Sequence, residues 1–121
     1  MRTTKKPSRS EHEEQRAFVE WWRKTQRDMI FAIPNGGARG KAQAGKLRAE
    51  GVMPGVWDLC APERYLWIEM KVGTGRLSKE QREFGKAMLG AGYHCIVAWS
   101  CDDAIQQVQH GPRLSWSSRP G

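Results

Sequence analysis

LWIEMKVGTGRLSKEQREF, residues 66–84, opens like a β-strand and closes like a helix, and it sets Glu69 and Lys71 inside an apolar run. Alternate strand residues share a face, so Trp67, Glu69 and Lys71 project one way and Leu66, Ile68 and Met70 the other. The second set is expected to be core. Glu69 and Lys71 would then stand about 7 Å apart at their Cα atoms, near a strand end where a cleft can open. Taken alone, the pair reads more simply as solvent-facing charges on an edge strand.

Beyond the strand, GTGR reads as a flexible loop. Ser78 followed three residues later by Gln81 is the capping-box pattern, predicting a helix to about Leu89 that Gly90 and Gly92 close. HCIVAW is then a strand and DDAIQQVQH a short helix. Upstream, YLWIEMKV is preceded by the turn PER and by another short apolar strand, VWDLCA. Before it come a helix over about Lys41–Glu50 ended by Gly51, the glycine-rich basic loop NGGARGK, and the strand MIFAI stopped by Pro34. A helix over about Ser10–Arg27 is capped by Ser10 or Ser8, each with a Glu three residues on. The order α-β-α-β-β-α-β-α predicts an α/β fold with a mixed central sheet of about four strands flanked by helices. One domain over residues 10–110 is expected, with a basic arm at 1–9 and a loosely ordered tail at 111–121 whose Trp116 could dock on the body.

Twenty Lys and Arg against thirteen Asp and Glu give a formal charge of +7 and a pI near 9.7, which suits a polyanionic partner once a site is identified independently. No run approaches the roughly 18 apolar residues of a membrane span, and MRTTKKPSRS lacks the apolar core of a signal peptide, so a cytoplasmic protein with no membrane contact is expected. Cys60, Cys95 and Cys101 form no CxxC pair, and His12, His94 and His110 are scattered; neither a disulfide framework nor a zinc site is indicated.

Asp58, in VWDLCA, changes the weight of Glu69 and Lys71. The strands carrying Asp58 and Glu69 are joined so closely that they are expected to be neighbours in the sheet, which brings two acids and one base to one place. Two carboxylates a few ångströms apart in a partly dry cleft repel unless a cation sits between them, and oxygen-only ligation suits Mg²⁺ or Mn²⁺. The first helix offers a third acid. At about 100° per residue, Gln15, Phe18 and Trp22 fall within about 40° of Glu11, whereas Glu13 and Glu20 lie nearly opposite. Glu11 thus extends the buried stripe at its exposed end, where it either reaches a site above the sheet or complements the helix dipole.

PGVWDL, IEMK and GRLSKEQ together resemble the virus-type replication-repair nuclease (VRR-NUC) family, in the restriction-endonuclease-like superfamily whose signature is PD followed by D/E-x-K. Asp58 is the D, and Glu69-Met70-Lys71 the E-x-K. EHEEQR resembles the family's helical E-x-x-x-Q pattern, with Glu11 and Gln15 at the matching positions. The resemblance covers roughly residues 10 to 108 and departs at Trp57, where the superfamily usually has Pro, a difference that touches local strand geometry rather than ligation. It implies a restriction-endonuclease-like core and a metal-dependent, structure-specific DNA endonuclease of phage or prophage type. Mg²⁺ or Mn²⁺ would be held by Asp58, Glu69, Glu11 and the Met70 carbonyl. Lys71 would activate water, and Gln81 would either orient Lys71 or simply close its capping box. Arg39, Lys41, Lys46, Arg76 and the N-terminal arm become candidates for gripping the DNA backbone without reading sequence. A Holliday-junction-resolvase-like activity on branched DNA and a homodimer presenting two sites are further implications.

Two other readings remain. GKAQAGKL satisfies GxxxxGK of a P-loop nucleotide-binding protein, but Leu47 stands where Ser or Thr must ligate Mg²⁺. A non-catalytic DNA-binding module would suit the charge and leave Asp58 and Glu69 without a purpose.

Overall fold

Leu66–Met70 is an inner strand, β3, of a four-stranded sheet in the computed structural model, which describes residues 9–35 and 41–118. Around it run α1 (Glu11–Thr25), β1 (Phe31–Ala32), α2 (Lys41–Ala49), β2 (Leu59–Ala61), α3 (Lys79–Gly90), β4 (His94–Ala98) and α4 (Cys101–His110), the alternation expected from the sequence. The strands lie in chain order, with β1–β2 and β2–β3 antiparallel and β3–β4 parallel. A 3-10 turn at Pro62–Arg64 and Tyr65 at φ 52° reverse the chain between β2 and β3. Parallel strands need a crossover, and α3 supplies it.

The helices start where local chemistry directs. Ser10 and Glu13 close one capping box, Ser78 and Gln81 another, each satisfying helix-end donors reciprocally. Phe18 and Trp22, one turn apart on α1, are fully buried against Leu66, Ile68 and Met70 of β3, Ile96 and Ala98 of β4 and Ala104 of α4. On the other face, Trp67 packs with Trp57, Phe84 of α3, Cys95, Val97 and Trp116. The sheet is therefore covered on both sides, and Glu69 and Lys71 are not on the open side of an edge strand: they are only 1% and 9% exposed.

The structure departs from the sequence reading in three places. The strand expected over VWDLCA narrows to Leu59–Ala61, which leaves Asp58 just before it. The strand expected over MIFAI narrows to Phe31–Ala32, because this edge segment has one neighbour and its N-terminal flank bonds elsewhere: Met29 N–H donates to the Glu63 carboxylate. The tail is docked through residue 118. Gln107 accepts from Arg113 N–H, the Arg113 guanidinium clasps Asp103, and a 3-10 turn at Ser115–Ser118 buries Trp116. Burial alone would raise the Asp103 carboxyl, but its bonds from Arg113 and Trp99 N–H hold it below the usual range. Cys60, Cys95 and Cys101 are buried free thiols, and among the described residues no helix is long and apolar enough to cross a membrane.

Candidate active site

The β2–β3 register places Leu59 opposite Ile68, so Asp58, one residue before β2, comes to stand beside Glu69. Backbone bonds lock the two acids crosswise: Asp58 N–H donates to Glu69 Oε1 at 3.3 Å, and Met70 N–H donates to Asp58 Oδ2 at 3.0 Å. Each carboxylate thus caps the backbone beside the other. Two residues beyond Glu69 on the same face, Lys71 Nζ lies 3.4 Å from Glu69 Oε2, while Lys71 N–H donates to Ala98 O and holds the strand end against β4.

Gln81 ties the group together from α3. Its Nε2 donates to Glu69 Oε2 at 3.0 Å, and its Oε1 accepts from Lys71 Nζ and from Ser78 N–H, each at 2.9 Å. One carboxamide therefore closes the helix cap and bridges the Glu69–Lys71 pair, the two arrangements that the sequence left as alternatives.

Electrostatics match this packing. Burial and the neighbouring Asp58 charge push the Glu69 carboxyl up to about 8 in spite of Lys71. Burial also raises Asp58, against the Met70 N–H, Lys71 and the Asn35 side chain, which favour its charged form. Ionising both acids together would place more negative charge here than the surroundings offset, the condition in which a proton or a bound cation is favoured between two carboxylates. Asp58, Glu69 and the Met70 carbonyl are the oxygen donors that could serve a cation here, a donor type that Mg²⁺ and Mn²⁺ take. No three His, Cys, Asp or Glu side chains among the described residues form a metal-ready group.

Asp58, Glu69, Met70, Lys71 and Gln81 are thus brought together, and Glu11 is not. Glu11 is exposed in the first turn of α1, and its carboxylate makes no hydrogen bond or ion pair among the described residues. Its turn does reach the same end of the sheet, since Glu14, three residues on, accepts from Cys101 N–H just after β4. Lys46 is exposed on α2 and Arg76 is exposed in the loop before α3. Residues 1–8 of the N-terminal arm, Arg39 and the side chain of Lys41 lie outside the described residues, while Arg9, the last residue of the arm, is exposed and lies 3.9 Å from the Glu14 carboxylate. Gly45 and Lys46 of the P-loop-like motif are inside α2, so they do not form the glycine-rich loop that would cradle a phosphate.

Three contributors escaped the sequence reading. Asn35 was part of a presumed flexible loop, yet its side chain faces Asp58 and donates to Val56 O at 2.7 Å. Trp57 is fully buried, and its indole N–H donates to Gln81 O at 2.7 Å. Gly55, at φ 88°, lets the same segment press on α3: a Cβ there would lie 2.5 Å from the Glu80 carbonyl carbon.

Compared with known proteins, the chain is similar to a solved structure described as a VRR-NUC domain protein, with a TM-score of 0.70 and 26% identity over 85% of this chain and 88% of that one. No family model matches the chain, and no curated protein matches it.

Proposed function

We propose that this chain, a nuclease domain with the VRR-NUC fold, hydrolyses phosphodiester bonds in DNA with Mg²⁺ or Mn²⁺. The observation that carries the reading is the hydrogen-bonded Asp58–Glu69–Lys71–Gln81 group at the end of β3, buried at Glu69 and Lys71 and half-buried at Asp58 and Gln81. Asp58, Glu69 and the Met70 carbonyl would hold the cation, with Glu11 as a further ligand from α1. A divalent cation there supplies positive charge against the developing phosphorane oxygens and makes a water more acidic. Lys71 orients and helps deprotonate the attacking water and offsets charge on the phosphate. Gln81 keeps the Lys71 ammonium and the Glu69 carboxylate in place.

Lys46 and Arg76, with Arg39, Lys41 and the N-terminal arm, position the sugar-phosphate backbone, a contact that carries no sequence information. Branched DNA is the preferred substrate, and a homodimer with two sites suits a four-way junction of the Holliday type. A cleavage panel of four-way junction, flap, single-strand and linear duplex DNA in Mg²⁺ tests this. Cutting of branched forms that EDTA and Asp58→Asn both abolish supports it; equal cutting of linear duplex, or cutting that survives EDTA, contradicts it.

A further inference from the structure

Beside Asp58 opens a cleft of about 400 Å³ with a mixed polar and apolar lining. Asp58, Glu80, Gln81 and Arg48 give the lining its charged and polar groups, and Leu47, Val52 and Met53 an apolar wall. That wall lacks an ordinary structural purpose. Among its described side chains α2 buries none, and the apolar pair Ala44 and Leu47, one turn apart, is only half-buried and turned to the cleft. Val52 and Met53 are 49% and 55% exposed. A helix whose apolar edge faces an open cleft, and an apolar pair left in water beside it, mark a surface that gains by being covered.

Resting on the nuclease reading above, we propose that the cleft receives one unpaired nucleobase of the DNA, adjacent to the scissile phosphate. A nucleotide matches both parts of this lining: its phosphate belongs at the Asp58–Gln81 group, where a bound cation would offset the Asp58 charge and Arg48 adds a further positive charge to the same cleft, and its flat apolar base against Leu47 and Met53. Taking a base out of a paired stack costs free energy, least where the base is already unpaired, so the cleft selects DNA at a branch point or flap. Specificity for structure then arises at the site itself, without base-edge recognition.

An abasic walk tests this. A flap substrate is prepared with a single abasic nucleotide at each position flanking the cut, and cleavage by the full chain is compared with that by a Val52→Ser/Met53→Ser variant. One position is expected to slow cleavage about tenfold when abasic, the variant to slow the intact substrate comparably, and the two losses not to add. A flat walk, or losses that multiply, overturns the proposal. Binding of 2-aminopurine-labelled flaps to Asp58→Asn protein reports the cleft without turnover, so failure of the nuclease reading stays separate. Fluorescence is expected to rise at one position and not with Val52→Ser/Met53→Ser added; no change at any position overturns the proposal. So does a variant that turns a dimer into a monomer while the fluorescence response is kept, since the cleft wall would then hold a second copy.

Discussion

Trp57 donates its indole N–H to the Gln81 carbonyl at 2.7 Å, tying the residue that precedes one acid to the residue that bridges the other to Lys71. Where the superfamily pattern has proline, this chain has an anchor for the first turn of α3. The ring is packed edge-on to Trp116 at 5.0 Å, so the C-terminal tail supports the anchor from behind. Trp57→Phe keeps most of the ring and deletes the donor. Steady-state kinetics are expected to show kcat reduced about tenfold with KM little changed, and thermal unfolding a loss of about 1–3 kcal/mol from the lost hydrogen bond and the smaller buried ring.

Gln81 serves cap and site with one side chain, and two variants separate the roles. Ser78→Ala removes the cap acceptor and is expected to cost about 1 kcal/mol of stability with a small effect on cleavage. Gln81→Ala also frees Lys71 and Glu69 and is expected to lower kcat far more than Ser78→Ala. Equal activity of the two variants would leave Gln81 as a cap alone.

The raised Glu69 carboxyl makes stability depend on pH in a definite direction. Its folded-state pKa, about 8, lies above the ordinary 4.5, so the fold favours the protonated acid. That contribution is fully present below about pH 4.5 and is lost as pH rises through about 8. Asp58 is raised too and acts in the same sense, whereas Asp103 is held low and acts below this window. Unfolding temperatures in EDTA are expected to fall as pH rises across the window, less steeply in Glu69→Gln. Mg²⁺ is expected to restore stability most at the alkaline end.

Gly85 is the point where α3 meets the tail. A Cβ there would lie 2.6 Å from Trp116 Cη2 and press on Trp57 as well, two rigid rings with no room to yield. Gly85→Ala is expected to destabilise by about 1–3 kcal/mol by overpacking, and urea denaturation measures it.

Much of this was legible because it is local. Both capping boxes, the αβ alternation and the opposite facing of Glu69 and Ile68 follow from spacing within a few residues. Asp58 was placed beside Glu69 by the shortness of the connection between their strands. What escaped depends on contacts distant in sequence. Trp57 meets Trp116 and Gln81 only once the tail and α3 fold over the sheet, and no periodicity encodes Asn35 facing Asp58. The same holds for Trp99, whose indole donates to Gly75 O at 2.9 Å and fastens the loop that carries Arg76. The narrowing of β1 reflects its edge position, where apolar composition alone does not secure a ladder.

Glu11 and Glu13 offer a comparison within one helix turn. Glu13 closes the capping box with Ser10, while Glu11 makes no such bond. Glu11→Gln is expected to lower cleavage far more than Glu13→Gln, and Glu13→Gln to affect helix stability more. The reverse order of activities would remove Glu11 from the proposed ligand set.

The most direct test is Mg²⁺-dependent cleavage of branched DNA by the parent chain, Asp58→Asn and Glu69→Gln side by side, with DNA binding measured on the same preparations. Cleavage by the parent chain, its loss in both variants and retained binding are the predicted result. Cleavage that survives in both variants would contradict the assignment of Asp58 and Glu69 as the metal-binding pair.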